Sequence, residues 1–296
     1  MSIPGRGSRF HSAGDIRPVC FGFMDDVPMA KNNTSCLRIL VCIKQVPDMD
    51  APVAPDESGL GAKVGGRPSW RMNRYDEYAM EEALRIREAR PGTTISALSV
   101  GPGRVAQVLK RALELGADEG IHVATDHATD DGRMRPPLET AGLIACWARD
   151  RRFDLILAGT VAEDDLFGQV GPLVASLLDV PCATSAMALQ LAENRIRVER
   201  ELEGGAREAF SILLPALVSV QSGINRPRYP ALSHVLRARS QPLVTIRAED
   251  LPRTAPRERL LRLCAPDAAP KGAILTGTPS EKAERLARAL HQRGLL

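Results

Sequence analysis

The chain has no long apolar run. Its most hydrophobic stretches, ILLPALVSV at 212–220 and DLILAG at 154–159, fall well short of the roughly 20 residues a membrane helix needs, so no membrane insertion is expected. Strong net charge is also missing: 39 Lys and Arg against 36 Asp and Glu leave +3, too little to imply a nucleic-acid partner. The six cysteines, Cys20, Cys36, Cys42, Cys146, Cys182 and Cys264, show no CxxC or other metal spacing. A reduced, cytoplasmic setting is the simplest reading.

Signature motifs of catalysis are absent as well. There is no GxSxG elbow and no kinase or zincin motif. Ser99-Val100-Gly101-Pro102-Gly103 has part of a glycine-rich phosphate loop, yet it lacks the third glycine of GxGxxG and the Lys-Ser/Thr of a P-loop. An ATP-activating enzyme of the related nucleotide-binding folds would carry Ser-Gly-Gly after its first strand. Lys44-Gln45-Val46-Pro47-Asp48 stand there instead.

What the chain does contain, from Leu37 onward, is alternating strand and helix. LRILVCI reads as a buried strand, and Asn73 to Arg90 as a helix with Ala79, Met80, Ala83, Leu84 and Ile86 apolar and Pro91-Gly92 as its stop. TISALSV at 94–100 is the next strand. The following helix sets Val105, Val108, Leu109, Ala112 and Leu113 at i, i+3, i+4, i+7 and i+8 and closes at Gly116. A short strand at 121, a helix over 138–150 and the DLILAG strand continue the series. Such a series predicts an α/β fold with a doubly wound, mostly parallel sheet, Rossmann-like and covered on both faces.

After Pro181 the pattern changes. IRVERELEGGAREAFSILL alternates polar and apolar residues around Glu203-Gly204-Gly205, which predicts a β-hairpin of partly exposed strands. Residues 240–271 are rich in Pro and Arg and weakly periodic, as an arm would be. The last helix is well marked, with Thr278 as N-cap, Pro279 at N1, Glu281 at N3 and an apolar face of Ala283, Leu286, Ala287 and Leu290. That face has nothing of its own to pack against and is expected to dock on another chain. Residues 1–36 show neither period and are expected to be a disordered extension, with Asp15, Asp25 and Asp26 arguing against a transit peptide. The expected organisation is therefore 1–36 extension, 37–240 α/β domain and 241–296 C-terminal arm.

The stretch Asp154 to Leu178 is the most informative. A buried strand breaks into the loop TVAEDDLFGQVG and then turns helical, placing unpaired helix N–H groups at a strand's carboxyl end. Open α/β folds bind nucleotides there. Glu163, Asp164 and Asp165 allow a metal or acid/base cluster, but no histidine accompanies them, and a solvated loop with a capping Asp is the preferred account. His122 and His127 make a poor ligand pair across a strand end and are read as structural.

Several motifs together resemble a known family. LRILVCIKQVPD, MNRYDEYAMEEALRI, LSVGP, LELGADEGIHV, GTVAEDDLFGQVG, VERELEGG and RPRYPALSHVLRAR come in the order seen in beta subunits of electron transfer flavoproteins. The resemblance covers about Leu37 to Val244 and the terminal helix. It implies a non-enzymatic electron carrier subunit that pairs with an alpha subunit, shares that subunit's FAD and holds an adenine nucleotide, either AMP or, in bifurcating members, a second FAD. Its implied electron partner is an acyl-CoA dehydrogenase or another flavin dehydrogenase.

The resemblance also implies site residues. The nucleotide pocket maps to Cys42, to Asn73, Arg74, Tyr75 and Asp76, to Val100, and to the loop Gly159, Thr160, Val161, Ala162, Glu163, Asp164, Asp165, Leu166, Phe167, Gly168, Gln169 and Val170. Arg200 and Glu201 match hairpin positions that approach the partner's flavin. Arg228, Leu232 and Arg237 match the recognition segment, in which a leucine enters an apolar pocket on the dehydrogenase. Departures fall at Arg74, Thr160, Val161, Phe167 and Gly168, and they bear on which nucleotide is held. The competing class is a stand-alone nucleotide-binding hydrolase or stress-type sensor, in which the acidic loop would hold a metal.

Overall fold

The computed structural model describes residues 36–48, 50–65, 69–125, 135–265 and 272–296. The expected extension, apart from Cys36, lies outside these residues, and so does His127. Strand β1 (Arg38–Cys42) is followed by two small antiparallel ribbons: β2 (Gln45–Pro47) pairs with β5 (Trp70–Met72), and β3 (Val53–Pro55) with β4 (Ala62–Val64). Helix α1 (Arg74–Ala89), β6 (Thr94–Gly101), α2 (Ala106–Leu115), β7 (Glu119–Ala124), α3 (Pro137–Ala148), β8 (Leu155–Gly159) and α4 (Val170–Leu178) then alternate. Next come β9 (Cys182–Leu191), β10 (Arg195–Glu201), β11 (Arg207–Leu213), β12 (Ala216–Val220), α5 (Leu232–Ser240), β13 (Val244–Arg247) and α6 (Pro279–Gln292).

The main sheet has the order β11-β10-β9-β12-β8-β1-β6-β7-β13. All its pairings are parallel except β9 with β10 and β10 with β11. Alternation along the central strands builds a core on each face. Ile39 and Val41 of β1 join Leu155 and Leu157 of β8 under α1 and α2, through Met80, Leu84, Leu109 and Leu113. Leu40 and Cys42 join Ile156 and Ala158 on the opposite face, under Ile144 and Trp147 of α3 and Val174 of α4. The fold is thus the doubly wound α/β sheet the alternation predicted.

Two features differ from the sequence reading in extent. The hairpin β10–β11 does not stand apart, because β9 pairs with β10 and makes it the continuation of the main sheet. The stretch read as an arm contributes β13, which pairs in parallel with β7 and forms the opposite edge. Helix α6 carries its capping box, Thr278 Oγ1 accepting from the Glu281 N–H and Glu281 accepting from the Thr278 N–H. Leu286 on its apolar face remains exposed. Among the described residues no helix is long and apolar enough to cross a membrane.

Burial separates the two kinds of leucine. Leu157 is fully enclosed in the central strand β8, so Leu157→Ala should cost about 2–5 kcal/mol through lost transfer energy and a cavity. Leu286→Ala in the chain alone should stay within about 0.5 kcal/mol. Denaturant midpoints at unchanged slope measure both, and equal losses would contradict the layer assignment.

Candidate functional site

The chain leaves β1 toward β6 and β7 on one side and returns to β8 on the other, so the winding direction reverses beside β1. Crevices form at the carboxyl ends of strands at such a point. Here the ends of β1, β6 and β8 open into a cavity of ≈ 490 Å³, within the usual range for small-molecule sites. Of the residues the resemblance implied, Cys42, Asn73, Asp76, Val100, Gly159–Ala162, Asp164, Asp165 and Phe167–Val170 line it. Arg74, Tyr75, Glu163 and Leu166 do not: Leu166 is 66% exposed, with a left-handed φ of 56°, and Tyr75 packs edge-on against Tyr78.

One close approach sets the geometry. A Cβ on Gly159 would stand 2.5 Å from Asp76 Oδ1 and 2.6 Å from Tyr75 Cβ, so only glycine lets the start of α1 reach the end of β8. Asp76 uses that proximity. Its Oδ1 accepts from the Gly159 N–H at 2.9 Å and its Oδ2 from the Lys44 N–H at 2.8 Å. Burial raises its pKa to about 7, against the lowering effect of these N–H donors, Asn73 and Lys44. Burial likewise pushes the Cys42 thiol up to about 12, with Asp76 adding to the effect. Cys42 is therefore a protonated, weakly polar floor and not a nucleophile.

The acidic loop is held by struts. The Asn73 amide donates to Val161 O at 2.9 Å and its Oδ1 accepts from the Glu163 N–H at 3.1 Å. The Glu163 carboxylate accepts from the Arg74 N–H, at the N-terminus of α1, at 3.1 Å and from Arg71 Nη2. Lys44 Nζ bridges Asp164 and Asp165 at 2.7 Å each. Burial alone would lower the Lys44 pKa, but the two carboxylates outweigh it and raise it. Gly168, at φ +63° and with Thr160 O 3.0 Å from where a Cβ would be, returns the loop to α4.

Helix α4 opens on the cavity with Val170 and Gly171. Its first-turn N–H groups have no intrahelical acceptors and carry the positive end of the helix dipole. The three acidic side chains are committed to Lys44, Arg71 and the start of α1, so the loop is anchored by its charges. Among the described residues no three-ligand metal cluster forms.

Sequence reasoning named KQVPD as a motif but did not place its side chains in the site. Lys44, Gln45 and Pro47 line the cavity, as do Trp70, Arg104, Thr125 and Arg135. The Arg104 guanidinium lies over the Trp70 ring at 4.1 Å, and Gln45 Nε2 donates to Arg104 O at 3.0 Å. The remaining implied residues lie elsewhere. Arg200 pairs with Glu208 at 2.6 Å across the hairpin and sits over Phe210, while Glu201 is exposed at the end of β10. Arg228 is bound by Glu81 at 2.8 Å and also by Glu88. Leu232 opens α5 at 73% exposure beside Tyr229 at 92%, and Arg237 is exposed on the same helix. His122 is buried and its Nε2 meets Gly101 O at 2.9 Å.

Fold and crevice define a doubly wound α/β protein with an anion-compatible helix terminus at its switch point. Residues 66–251 match the family model described as "Electron transfer flavoprotein domain". The chain is 34% identical over 225 residues to the "Electron transfer flavoprotein subunit beta" of Bacillus subtilis (strain 168), covering 75% of this chain and 86% of that protein. It is 36% identical over 217 residues to the protein of that name from Bos taurus, 73% of this chain and 83% of that one, and equally to a mitochondrial one from Oryza sativa subsp. indica. The chain belongs to the electron transfer flavoprotein family, with the beta subunits, which are electron carriers and not enzymes.

The geometry yields two expectations. Gly159→Ala should lose about 1–3 kcal/mol through overpacking, while Gly103→Ala, which meets nothing within 4 Å, should change stability by less than about 0.5 kcal/mol. The second concerns pH. Because the folded pKa of Asp76 is raised from 3.8 to about 7, its protonated form favours folding below the lower value, and that contribution is lost as pH rises through the upper one. Unfolding free energies across this window should fall with pH more steeply for the unaltered chain than for Asp76→Asn; parallel profiles would rule the linkage out.

Proposed function

We propose that this chain is the beta partner of a heterodimeric electron transfer flavoprotein, that it holds an adenine nucleotide in the cavity at the ends of β1, β6 and β8, and that it shares the alpha subunit's FAD. The carrying observation is the division of charge around the loop Gly159–Val170. Its carboxylates are spent on struts, and the N-terminus of α4 faces the cavity. An anionic phosphate fits that terminus, with Gln169, Val170 and Gly171 beside it and Cys42 and Val100 forming the apolar floor. The nucleotide supplies a charged, hydrogen-bonding body that these residues grip.

In this reading the residues 37–240, with β13 as the sheet's edge strand, make the nucleotide-binding body, and the chain beyond β13 reaches the alpha subunit, with the exposed face of α6 as the docking element. Arg200 and Glu201 lie toward the partner's flavin, where fixed charge tunes its potential. The segment Arg228 to Arg237 meets an acyl-CoA dehydrogenase or another flavin dehydrogenase, with Leu232 as the anchor. Free thiols at Cys36, Cys42, Cys146, Cys182 and Cys264 are compatible with a cytoplasmic setting.

Co-expression with the cognate alpha subunit, denaturation and chromatography of the released cofactors test the core of this. One adenine nucleotide beyond the alpha subunit's FAD is expected, appearing as AMP or as a second FAD. A flavin-loaded heterodimer releasing one FAD and nothing else would refute the cavity assignment. Turnover of Mg²⁺-ATP by the chain without a partner would favour the hydrolase class instead.

Leu232→Ala supplies a further check. Loss of an exposed anchor of hot-spot type costs about 2 kcal/mol or more, so electron transfer from the dehydrogenase should slow on the order of 30-fold at limiting concentration. FAD and nucleotide content should not change. An unaltered rate would remove Leu232 from the interface.

A further inference from the structure

We propose that Trp70 and Arg104 together form a stacking platform for the base of the bound nucleotide, and that this pair sets the affinity of the site for the adenine end of its ligand. The inference rests on the nucleotide reading above and adds where the base lies. β8 and β6 flank β1 on opposite sides, so their carboxyl ends stand about 10 Å apart, two inter-strand spacings. The anion-compatible terminus of α4 follows β8. Arg104 follows β6, at the other end of the crevice. A nucleoside monophosphate laid between them has its phosphate at α4 and its base at Arg104.

The platform is built. Trp70 lies on β5, opposite Pro47 of β2, and the guanidinium of Arg104 stacks over its indole at 4.1 Å. Gln45, the first residue of β2, donates through Nε2 to Arg104 O at 3.0 Å and so fixes the turn that carries the arginine to the same ribbon that carries the tryptophan. All three residues line the cavity. A guanidinium is planar and weakly hydrated, and it stacks on aromatic faces as an ammonium does not. Purine bases stack on indole and guanidinium planes alike.

A point-charge role for Arg104, gripping phosphate, makes a different prediction, and the conservative variant separates the two. The heterodimer freed of nucleotide is titrated with AMP and with adenosine, by equilibrium dialysis and by tryptophan emission. Arg104→Lys keeps the charge and removes the plane, and it should weaken AMP and adenosine by the same factor, roughly tenfold. Trp70→Leu should do the same, and Trp70→Phe should retain most of the affinity. Binding should quench emission in the unaltered heterodimer, and the quench should vanish in Trp70→Phe, since the chain's other tryptophan, Trp147, packs on α3 against Phe153 and Arg151. Denaturation midpoints accompany every variant. Losses confined to AMP, or no loss with Arg104→Lys, or a quench that survives in Trp70→Phe, would overturn the platform while leaving the nucleotide site standing. An unaltered heterodimer that binds neither AMP nor adenosine would instead remove the nucleotide reading, and the platform with it.

Discussion

The structure turns on one buried carboxylate. Asp76 sits in the first turn of α1 and accepts N–H groups from Lys44, just past β1, and from Gly159, at the end of β8. These are the two strands between which the winding reverses, and the carboxylate ties the start of α1 across their carboxyl ends, just beyond the ladder that pairs Ile39, Leu40 and Val41 with Leu155, Ile156 and Leu157. Burying such a group is costly unless it is hydrogen-bonded. Its pKa, raised to about 7, reflects burial outweighing these hydrogen bonds. The glycine at 159 is the steric condition for the arrangement, because any side chain there would displace the carboxylate itself.

From that point the loop's behaviour follows. Three consecutive acids beside a crevice suited to an anion would repel the ligand if they faced it. Lys44 takes two of them, and Arg71 with the start of α1 takes the third, so the loop's negative charge is offset locally, and the N-terminus of α4 together with the lining Arg104 and Arg135 favours an anion. The ion pairs are partly exposed, and such pairs contribute only about 0–1 kcal/mol each. Asn73 binds the loop at both its donor and its acceptor atoms and is itself buried, so it holds the backbone where the salt bridges only tune it. This is also why the acidic run, ambiguous as a sequence motif, loses its appeal as a metal site.

Periodic elements were legible in the sequence because each carries its own evidence. The alternation of β1, α1, β6, α2 and β8 follows from apolar spacing, Gly116 and Pro91-Gly92 mark helix ends, and the EGG turn marks the hairpin. The ribbons β2–β5 and β3–β4 escaped because three-residue strands broken by Pro47, Pro52 and Pro55 have no measurable period. β13 escaped because VTIR is short, largely exposed and surrounded by Pro and Arg. In the site, residues at strand ends were readable from motif position. Lys44, Trp70 and Arg104 were not, since their contribution depends on which side chains meet across 34 residues between Trp70 and Arg104 or 120 between Lys44 and Asp164. Arg228 shows the same limit: read as a charged rim, it is engaged by Glu81 and Glu88, 147 and 140 residues earlier.

That engagement joins the crevice to the exposed segment around Leu232. α1 begins with the Asn73–Asp76 turn at the crevice, and farther along it presents Tyr78, Glu81, Glu82 and Glu88. Asn225 donates to Tyr78 O and to the Glu82 carboxylate at 3.0 Å each, and Arg228 grips Glu81. The segment that exposes Tyr229 and Leu232 is thereby riveted to the same helix whose first turn frames the cavity. A 16-residue helix is about 24 Å long and stiff, so the crevice and the exposed leucine are held at a fixed spacing by α1 itself. A change at the crevice that shifted Asp76 would carry the segment around Leu232 with it, and a shift of that segment transmitted through Arg228 would reach the crevice in turn. The coupling through the shared helix is reciprocal, and it needs no moving part beyond α1.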